Sequence, residues 1–363
     1  MPTSNLIPAI ATHPGEVLKD ELDSRDIRQI DFAHSIDMSN TMLNEIIKGK
    51  RNITADNAIL LEKALDISAE FWLKMQSQYD IDAARIKQRN IEKLQLVELW
   101  KSIASIVPVA YLKKRNILTN NLKEDISIIK DIYRALNFEG IIEAKAPIAG
   151  LFRKSSKLQI DENNLTCWVM LARWEAQNQA VGTYVASCMP TVKQQFIQIV
   201  NQNIEVVGKT EELLKSYGIK FIILEKPDKV PVDGFSFFNG SNPAIAITLR
   251  KGTIDNFAFS ILHELAHIEM HLNPDQDTFF IDCFDIEDNK KDSKEMEADL
   301  YAQQALIPQE VWRDLYIPTK IFDDSLLRNF AEKTSIHPAF VLGRYCHESG
   351  NYKIKTSIDR KIG

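Results

Sequence analysis

The sequence predicts a mainly α-helical chain that carries one small β-sheet. Three observations point there. Short apolar-periodic stretches follow one another over the first 80 or so residues, several opened by Pro, Ser or Thr, as helix starts are. Around residues 219–249 the pattern changes to isoleucine-rich runs bounded by turn residues, which read as strands. The stretch Asp255–His271, DNFAFSILHELAHIEMH, contains no Pro or Gly, and Pro274 closes the region, so it reads as one helix. These patterns divide the chain into a flexible arm (1–12), a five-helix domain (13–82), a helical connector (83–203), an α+β domain (204–349) and a C-terminal tail (350–363).

Composition bounds the function. A chain of 363 residues is long enough for two or three domains, and 45% hydrophobic with 26% charged residues is the balance of a soluble globular protein. The net charge of -6 argues against a surface that coats nucleic acid broadly, while leaving room for a local basic patch. Cys167, Cys188, Cys283 and Cys346 are scattered and form no C-x-x-C, which fits reduced thiols rather than a disulfide framework or a cysteine metal site. No basic segment followed by a long apolar run opens the chain, and no apolar stretch approaches the ~20 residues of a membrane span. A cytoplasmic protein, away from membranes, is expected.

Within the five-helix domain, Pro14 leads into a helix over 15–23, and further helices are expected over 28–36, 39–47 and 54–65. Ser68 opens a fifth that runs through Phe71 and Trp72 toward Tyr79. The compact spacing and short turn are those of a helix-turn-helix. Gln29 opens its first helix, Ala33 is the small residue where the helices cross, and Phe32, Ile36, Met38, Leu43 and Ile46 are its apolar positions. Asp37 stands at the turn position usually given to glycine, and Asp tolerates the left-handed backbone better than most residues. By place in the motif, Ser39, Asn40, Thr41 and Asn44 would face base edges, and Gln29, Lys48, Lys50 and Arg51 would face phosphates. Against this, acids outnumber bases twelve to eight between His13 and Tyr79, so a dimerisation module without DNA binding is the alternative.

The stretch from His13 to Tyr79 resembles the HigA-type antitoxins of the XRE helix-turn-helix family. The match is carried by His13-Pro14-Gly15-Glu16, Asn44-Glu45-Ile46, Gly49-Lys50-Arg51, Ile53-Thr54-Ala55-Asp56 and Glu70-Phe71-Trp72-Leu73. The resemblance implies a homodimer that binds a palindromic operator.

The connector is less informative. Helices are expected over 86–104, 123–136, 167–180 and 192–201, with Trp168, Leu171 and Trp174 as a core stripe. Leu112-Lys113-Lys114-Arg115 reads as solvated surface rather than a second DNA patch. Beyond it, strands are expected over 219–224, 235–238 and 244–249 beneath the helix at 255–271, the last also a candidate edge for an extended peptide.

His263-Glu264-Leu265-Ala266-His267 is an H-E-x-x-H match on that helix. Residues four apart share a helix face, so His263 and His267 can offer two imidazole nitrogens to one ion. Zinc takes such ligands plus a third, keeps a fourth position for water, and lowers that water's pKa toward ~7. Glu264 projects beside the pair as the base that takes the water's proton. His271 is too far to be the third ligand, since His263 to His271 spans about 12 Å along a helix. Downstream, Glu295 and Asp299 share one helix face at i,i+4, with Glu297 nearly opposite. Glu295 is assigned as third ligand and Asp299 as the acid that orients a zinc-bound histidine through its other ring nitrogen. A solvated acidic face is the plain alternative for both. His337, Arg344 and His347 are available to stabilise an oxyanion, although a structural role fits each better.

The segment from Leu213 through Pro308 resembles the ImmA/IrrE family of zinc metallopeptidases. The shared features are Gly218-Ile219, Val232-Asp233-Gly234-Phe235, Asn242-Pro243-Ala244-Ile245, Asp255-Asn256-Phe257, the HELAH core, then E-x-E-A and A-L-I-P. Ala266 stands where glycine is common and Asp299 where asparagine is common. The resemblance implies a zincin-like fold, Zn2+, endopeptidase activity and a protein substrate, often a DNA-binding repressor. Together the two halves suggest a DNA-binding regulator or antitoxin carrying a zinc endopeptidase that cleaves a repressor or toxin partner. The alternative is an antitoxin or autorepressor whose second half is a sensor or partner-binding scaffold without turnover.

Overall fold

The computed structural model describes residues 8–145, 160–276, 278–283, 293–316 and 323–363. Of the expected arm, residues 1–7 lie outside the described residues, and 8–12 carry neither helix nor strand. The chain forms two compact units, Met1–Lys101 and Ser102–Gly363. The described residues are mainly helical with one four-stranded sheet.

The first unit holds α1 (Pro14–Ser24), α2 (Gln29–Ser35), α3 (Asn40–Ile47), α4 (Ala55–Leu65) and α5 (Ala69–Ala104). Each start has a local cause. His13 Nδ1 accepts from Gly15 N at 2.9 Å, Glu16 reaches back to His13 N, and Pro14 supplies a preset φ in the first turn. Ser39 and Thr54 cap α3 and α4 through Met42 N and Asn57 N. Asp37 adopts the left-handed backbone, φ 48°, as its place in the turn requires. Gly15 is needed for contact, because a Cβ there would sit 1.9 Å from the Ile46 carbonyl oxygen. The core is Leu18, Leu22, Phe32, Ala33, Leu43, Ile46, Leu61, Leu65 and Trp72, all buried. Gln76 on α5 accepts from Ile53 N at 2.9 Å, which satisfies a buried backbone donor before α4.

The helix expected to stop near Tyr79 and the one expected from Ile86 are a single helix, α5, of 36 residues. Its apolar periodicity fades after Tyr79, which suggested a break. No Pro or Gly interrupts it, however, and i,i+4 pairs such as Gln78–Asp82 and Gln88–Glu92 support the exposed turns.

In the second unit, α6 (Val109–Lys114), α7 (Leu122–Ile132), α8 (Phe138–Glu143) and α9 (Glu162–Gln177) precede α10 (Met189–Gln202) and α11 (Val206–Ser216). Four strands follow: β1 (Lys220–Ile223), β2 (Val232–Asn239), β3 (Asn242–Ile247) and β4 (Phe279–Cys283). The sheet order is β1-β3-β2-β4, with β1 parallel to β3 and β2 antiparallel to β3 and β4. This corrects the expectation that 244–249 offers a free edge, because β3 is paired on both sides. At the β1 edge, the Gln179 side-chain amide donates to Phe221 O and accepts from Phe221 N, at 2.7 and 3.1 Å. Trp168 is fully buried and donates to Leu224 O at 3.1 Å, so α9 is tied to the sheet. The basic run is surface: Lys114 pairs with Glu225 at 2.9 Å and Arg115 with Glu175 at 3.3 Å.

Helix α12 (Ile254–Ala266) packs across β2 and β3 and ends in a π-turn, His267–His271, closed by Leu272 N to His267 O. Then come α13 (Ser293–Leu306), packed on α12, α14 (Gln309–Tyr316), α15 (Asp324–Thr334) and α16 (Pro338–Ser349). Neither Thr253 nor Asp255 caps α12 through its side chain. Ile254 N donates instead to Arg360 O at 2.8 Å, and Asp255 is bonded by the Arg360 guanidinium. Residues 350–363 thus return along the domain, and Val206 N finally binds Gly363 O at 3.0 Å. His337 caps α16 through Ala339 N, and Arg344 donates to Ile307 O, Gln309 and Glu348, so both are occupied structurally.

Candidate functional site

Helix α12 buries His263, Glu264 and His267 completely. Helix α13 lies against it and brings Glu295 to the same point. His263 Nε2 is 3.1 Å from His267 Nε2 and 3.2 Å from Glu295 Oε2, and His267 Nε2 is 3.5 Å from Glu295 Oε1. Three donors on a tetrahedron with bonds of about 2.0 Å stand about 3.3 Å apart, close to the spacing of the two imidazole nitrogens and of each from its nearer Glu295 oxygen, so a zinc ion fits this donor set. The chemistry agrees. With His263 Nδ1 facing Asp299 Oδ1 at 3.0 Å and His267 Nδ1 facing His271 Nδ1 at 3.0 Å, the two Nε2 lone pairs and a carboxylate face one another. Such a cluster needs a cation or protons between its members.

With protons alone in that place, burial depresses the His263 imidazole, but hydrogen bonds to Asp299 and Glu295 outweigh it, and His263 ends well above its ordinary value. Burial pulls His267 down against the opposing pull of Glu295. Burial also raises Glu295, yet the hydrogen bonds from both imidazoles hold it at about 2.

Glu264 stands apart. Among the described residues neither of its oxygens has a hydrogen-bond partner, and burial, only partly offset by His263, raises its carboxyl well above the usual range. Ser236 Oγ on β2 faces it without completing a hydrogen bond of normal geometry. An orphaned buried carboxylate is costly, and a water between it and the imidazole pair would satisfy it. Room for Glu264 comes from Gly234, where a Cβ would sit 1.9 Å from Glu264 Oε1. Asp282 on β4 is near enough to join His263 and Glu264 in a second three-donor group, and burial raises its carboxyl to about 6.

A cleft of about 540 Å³ opens on the Asp282 and Asp299 side. Its wall includes Phe259, Leu306, Ile307 and Phe340. The arginines at its rim are already paired, Arg250 with Asp233 and Arg360 with Asp255. Beside these apolar residues the wall carries Asn256, Ser260, Gln303 and His347, so the space is of mixed character.

In the first unit, Ser39, Asn40, Thr41 and Asn44 are exposed along the start of α3, and Lys48, Lys50 and Arg51 are exposed just beyond its end. Gln29 is half-buried at the start of α2. Two of these side chains carry other duties. Ser39 Oγ accepts from Met42 N, and Arg51 is paired with Glu45 at 2.9 Å.

The Helix-turn-helix family model matches residues 18–72. Virulence-associated protein A′ of Dichelobacter nodosus is 37% identical over 90 residues, which is 24% of this chain and 75% of that protein. Virulence-associated protein I of the same organism is 36% identical over 88 residues, covering 24% of this chain and 80% of its own length. This chain belongs to the helix-turn-helix family. Its N-terminal module is of the XRE type, similar to HigA-like antitoxins. A solved addiction-module antidote protein of a HigA family, from Coxiella burnetii, is 36% identical and covers 23% of this chain and 94% of its own, with a TM-score of 0.22. The Pseudomonas aeruginosa antitoxin HigA, solved with the higBA promoter, is 38% identical and covers 23% of this chain and 92% of its own, with a TM-score of 0.22.

Sequence reasoning about this helix-turn-helix protein missed four neighbours of the histidine cluster: Gly234, Ser236, Phe280 and Asp282. Gly234 and Ser236 are two apart on a strand and share the face toward α12, a pattern visible in the sequence once that strand is placed. Phe280 and Asp282 sit on β4, which was not expected at all. His271 was set aside as a ligand on distance. It is absent from the three-donor group and stands behind His267.

Proposed function

We propose that the chain is a DNA-binding regulator of the HigA-like kind whose second unit is a zinc-dependent endopeptidase. The observation that carries the enzymatic half is the convergence of His263, His267 and Glu295 at tetrahedral spacing beside the unpartnered Glu264. A bound zinc ion would supply a Lewis acid and an acidified water. The residues around it then divide the work. His263, His267 and Glu295 hold the ion, and Asp299 fixes the His263 ring through Nδ1. Glu264 takes a proton from the attacking water and returns it to the leaving amine. Its burial raises its proton affinity, and a dication held by the three ligands would oppose that. The cleft of mixed polar and apolar lining has room for the side chains of a peptide, and a regulatory protein, repressor or toxin partner, is the proposed substrate.

The N-terminal module is proposed to bind a palindromic operator as a homodimer. Asn40, Thr41 and Asn44 reach base edges, with Ser39 positioned by its capping bond. Lys48 and Lys50 contact phosphate, with Gln29, and Arg51 joins them if it leaves Glu45.

The test is a comparison of wild type with Glu264→Gln and Glu295→Gln. Glu264→Gln is expected to keep about one zinc per chain and lose cleavage of the partner protein by roughly 10²–10⁴-fold. Glu295→Gln is expected to lose the metal. Partner fragments are sought by mass spectrometry in cells that also express the neighbouring gene product. Intact partners under inducing stress, with Glu264→Gln regulating as wild type does, would leave a non-catalytic scaffold as the reading.

A further inference from the structure

The two histidines of the cluster are supported differently. His263 Nδ1 meets a carboxylate directly, Asp299 at 3.0 Å. His267 Nδ1 meets another imidazole, His271 Nδ1, at 3.0 Å. On its far side His271 Nε2 lies 3.1 Å from Glu297 Oε2. We infer that His271 and Glu297 are positioning residues for His267, joined in one directed chain that sets the His267 tautomer. This rests on the metal-site reading above.

Proton counting gives the direction. A hydrogen bond between two Nδ1 atoms needs one donor and one acceptor. If His267 Nε2 offers its lone pair toward Glu295 and His263, its proton is on Nδ1, which makes it the donor. His271 Nδ1 is then the acceptor, and the neutral His271 ring carries its proton on Nε2. That proton points at Glu297, which as a carboxylate only accepts. Every link has one donor and one acceptor, and reversing the first link would make His267 Nδ1 an acceptor and move its proton to Nε2, against the lone pair that a ligand needs there. His267 thereby gains the carboxylate support that His263 has, relayed through one ring.

Local structure places the parts. The backbone leaves the α-helical register at His267 and makes a π-turn to His271, a departure that often marks functional sites. Phe280 from β4 stacks on His267, with centroids 4.2 Å apart and planes 11° apart, and tilts against His271 at 5.6 Å. Stacking fixes the plane of the His267 ring but not which nitrogen carries the proton. The His271–Glu297 chain does that. Glu297 lies opposite Glu295 and Asp299 on α13, which is why it misses the donor cluster and still reaches the outer face of His271.

The test uses the full chain, with zinc affinity measured by chelator competition and fold by melting in excess chelator. His271→Leu is expected to weaken zinc binding by about 10–100-fold. His271→Gln should hold affinity within a few fold, since its amide oxygen can accept from His267 and its NH2 can donate to Glu297. Nitrogen-15 spectra of the zinc-loaded wild type should show His271 protonated on Nε2 and His267 on Nδ1. Should His271→Leu not fold, the spectra and the glutamine variant still decide. Equal zinc affinity in the leucine variant, or a His271 proton on Nδ1, overturns the inference and leaves the metal site standing. Wild type that holds no zinc overturns both.

Discussion

Gly234→Ala tests the architecture around Glu264 without touching a proposed ligand. The added Cβ would stand 1.9 Å from Glu264 Oε1, 2.8 Å from its Cδ and 3.1 Å from its Cγ. Three atoms of one buried side chain must move, by more than 1 Å at the oxygen, and Glu264 is fully buried. Overpacking of this kind costs about 1–3 kcal/mol, which lowers Tm by roughly 2–10 °C for a unit of this size. A displacement of that length at the proton acceptor reduces cleavage about 10²-fold. Zinc content should not change, since the three atoms nearest the added Cβ all belong to Glu264 and none to His263, His267 or Glu295. Stability gives the decisive comparison. Gly234 does not occupy a positive φ, so in a Glu264→Ala background, where the clash is gone, alanine at 234 should be neutral or stabilising by up to about 1 kcal/mol. The substitution therefore changes sign between the two backgrounds, a coupling that a double-mutant cycle measures directly. Equal cost in both backgrounds, or a fully stable and active Gly234→Ala, would refute the argument that Gly234 exists to admit Glu264.

Two further outcomes follow from the structure. In mobility shifts against the region upstream of its own gene, Asn44→Ala should relax base preference. Lys50→Ala should weaken binding to all sequences and reduce the salt slope by about 1, and no shift even at low salt would favour the dimerisation-only alternative. For Asp282, folding raises the carboxyl from 3.8 to about 6, so the folded state binds the extra proton between those values. In chelator, wild type should lose stability as pH rises from 4 through 6 relative to Asp282→Asn, and parallel melting curves of the two proteins against pH would refute the shift.

The parts of the fold that read well from sequence are those fixed by local chemistry. Ser39 and Thr54 cap the helices they precede, and Asp37 takes the backbone its motif position demands. The apolar positions from Phe32 to Ile46 are buried as their spacing requires. Failures occurred where distant residues decide. The cap of α12 is the Arg360 carbonyl, more than a hundred residues away, and no local pattern announces it. Strand β4 is five residues long and is held by pairing to β2, so its existence depends on a partner rather than on its own sequence. The edge assigned to β3 failed for the same reason, because strand order is a long-range property. At the site, i,i+4 spacing brought His263 to His267 and Glu295 to Asp299, while the joining of the two helices had to be assumed. The π-turn that sets His271 behind His267 has no signal in HIEMH itself.

Glu264 and Glu295 are the same residue type within one cluster, and their surroundings push them in opposite directions. Glu295 lies between two imidazole nitrogens, and their hydrogen bonds hold its carboxyl at about 2 against its burial. Glu264 faces a strand, has no partner for either oxygen and is pushed well above the ordinary carboxylate range. A carboxyl held low by the two imidazoles it faces fits a ligand, and an acid whose charge depends on what sits next to it fits a proton carrier. The roles cannot be exchanged by rotating side chains. Glu264 is adjacent in sequence to His263 and projects to the β2 side, whereas Glu295 reaches both Nε2 atoms from α13. Had the cluster been only a structural ion pair, Glu264 would be a buried, unpaired carboxyl with no compensation, worth removing for stability alone. Glu264→Gln measures that as well: a gain in stability is expected in either case, and the loss of cleavage with zinc retained is what separates a proton carrier from a stability defect.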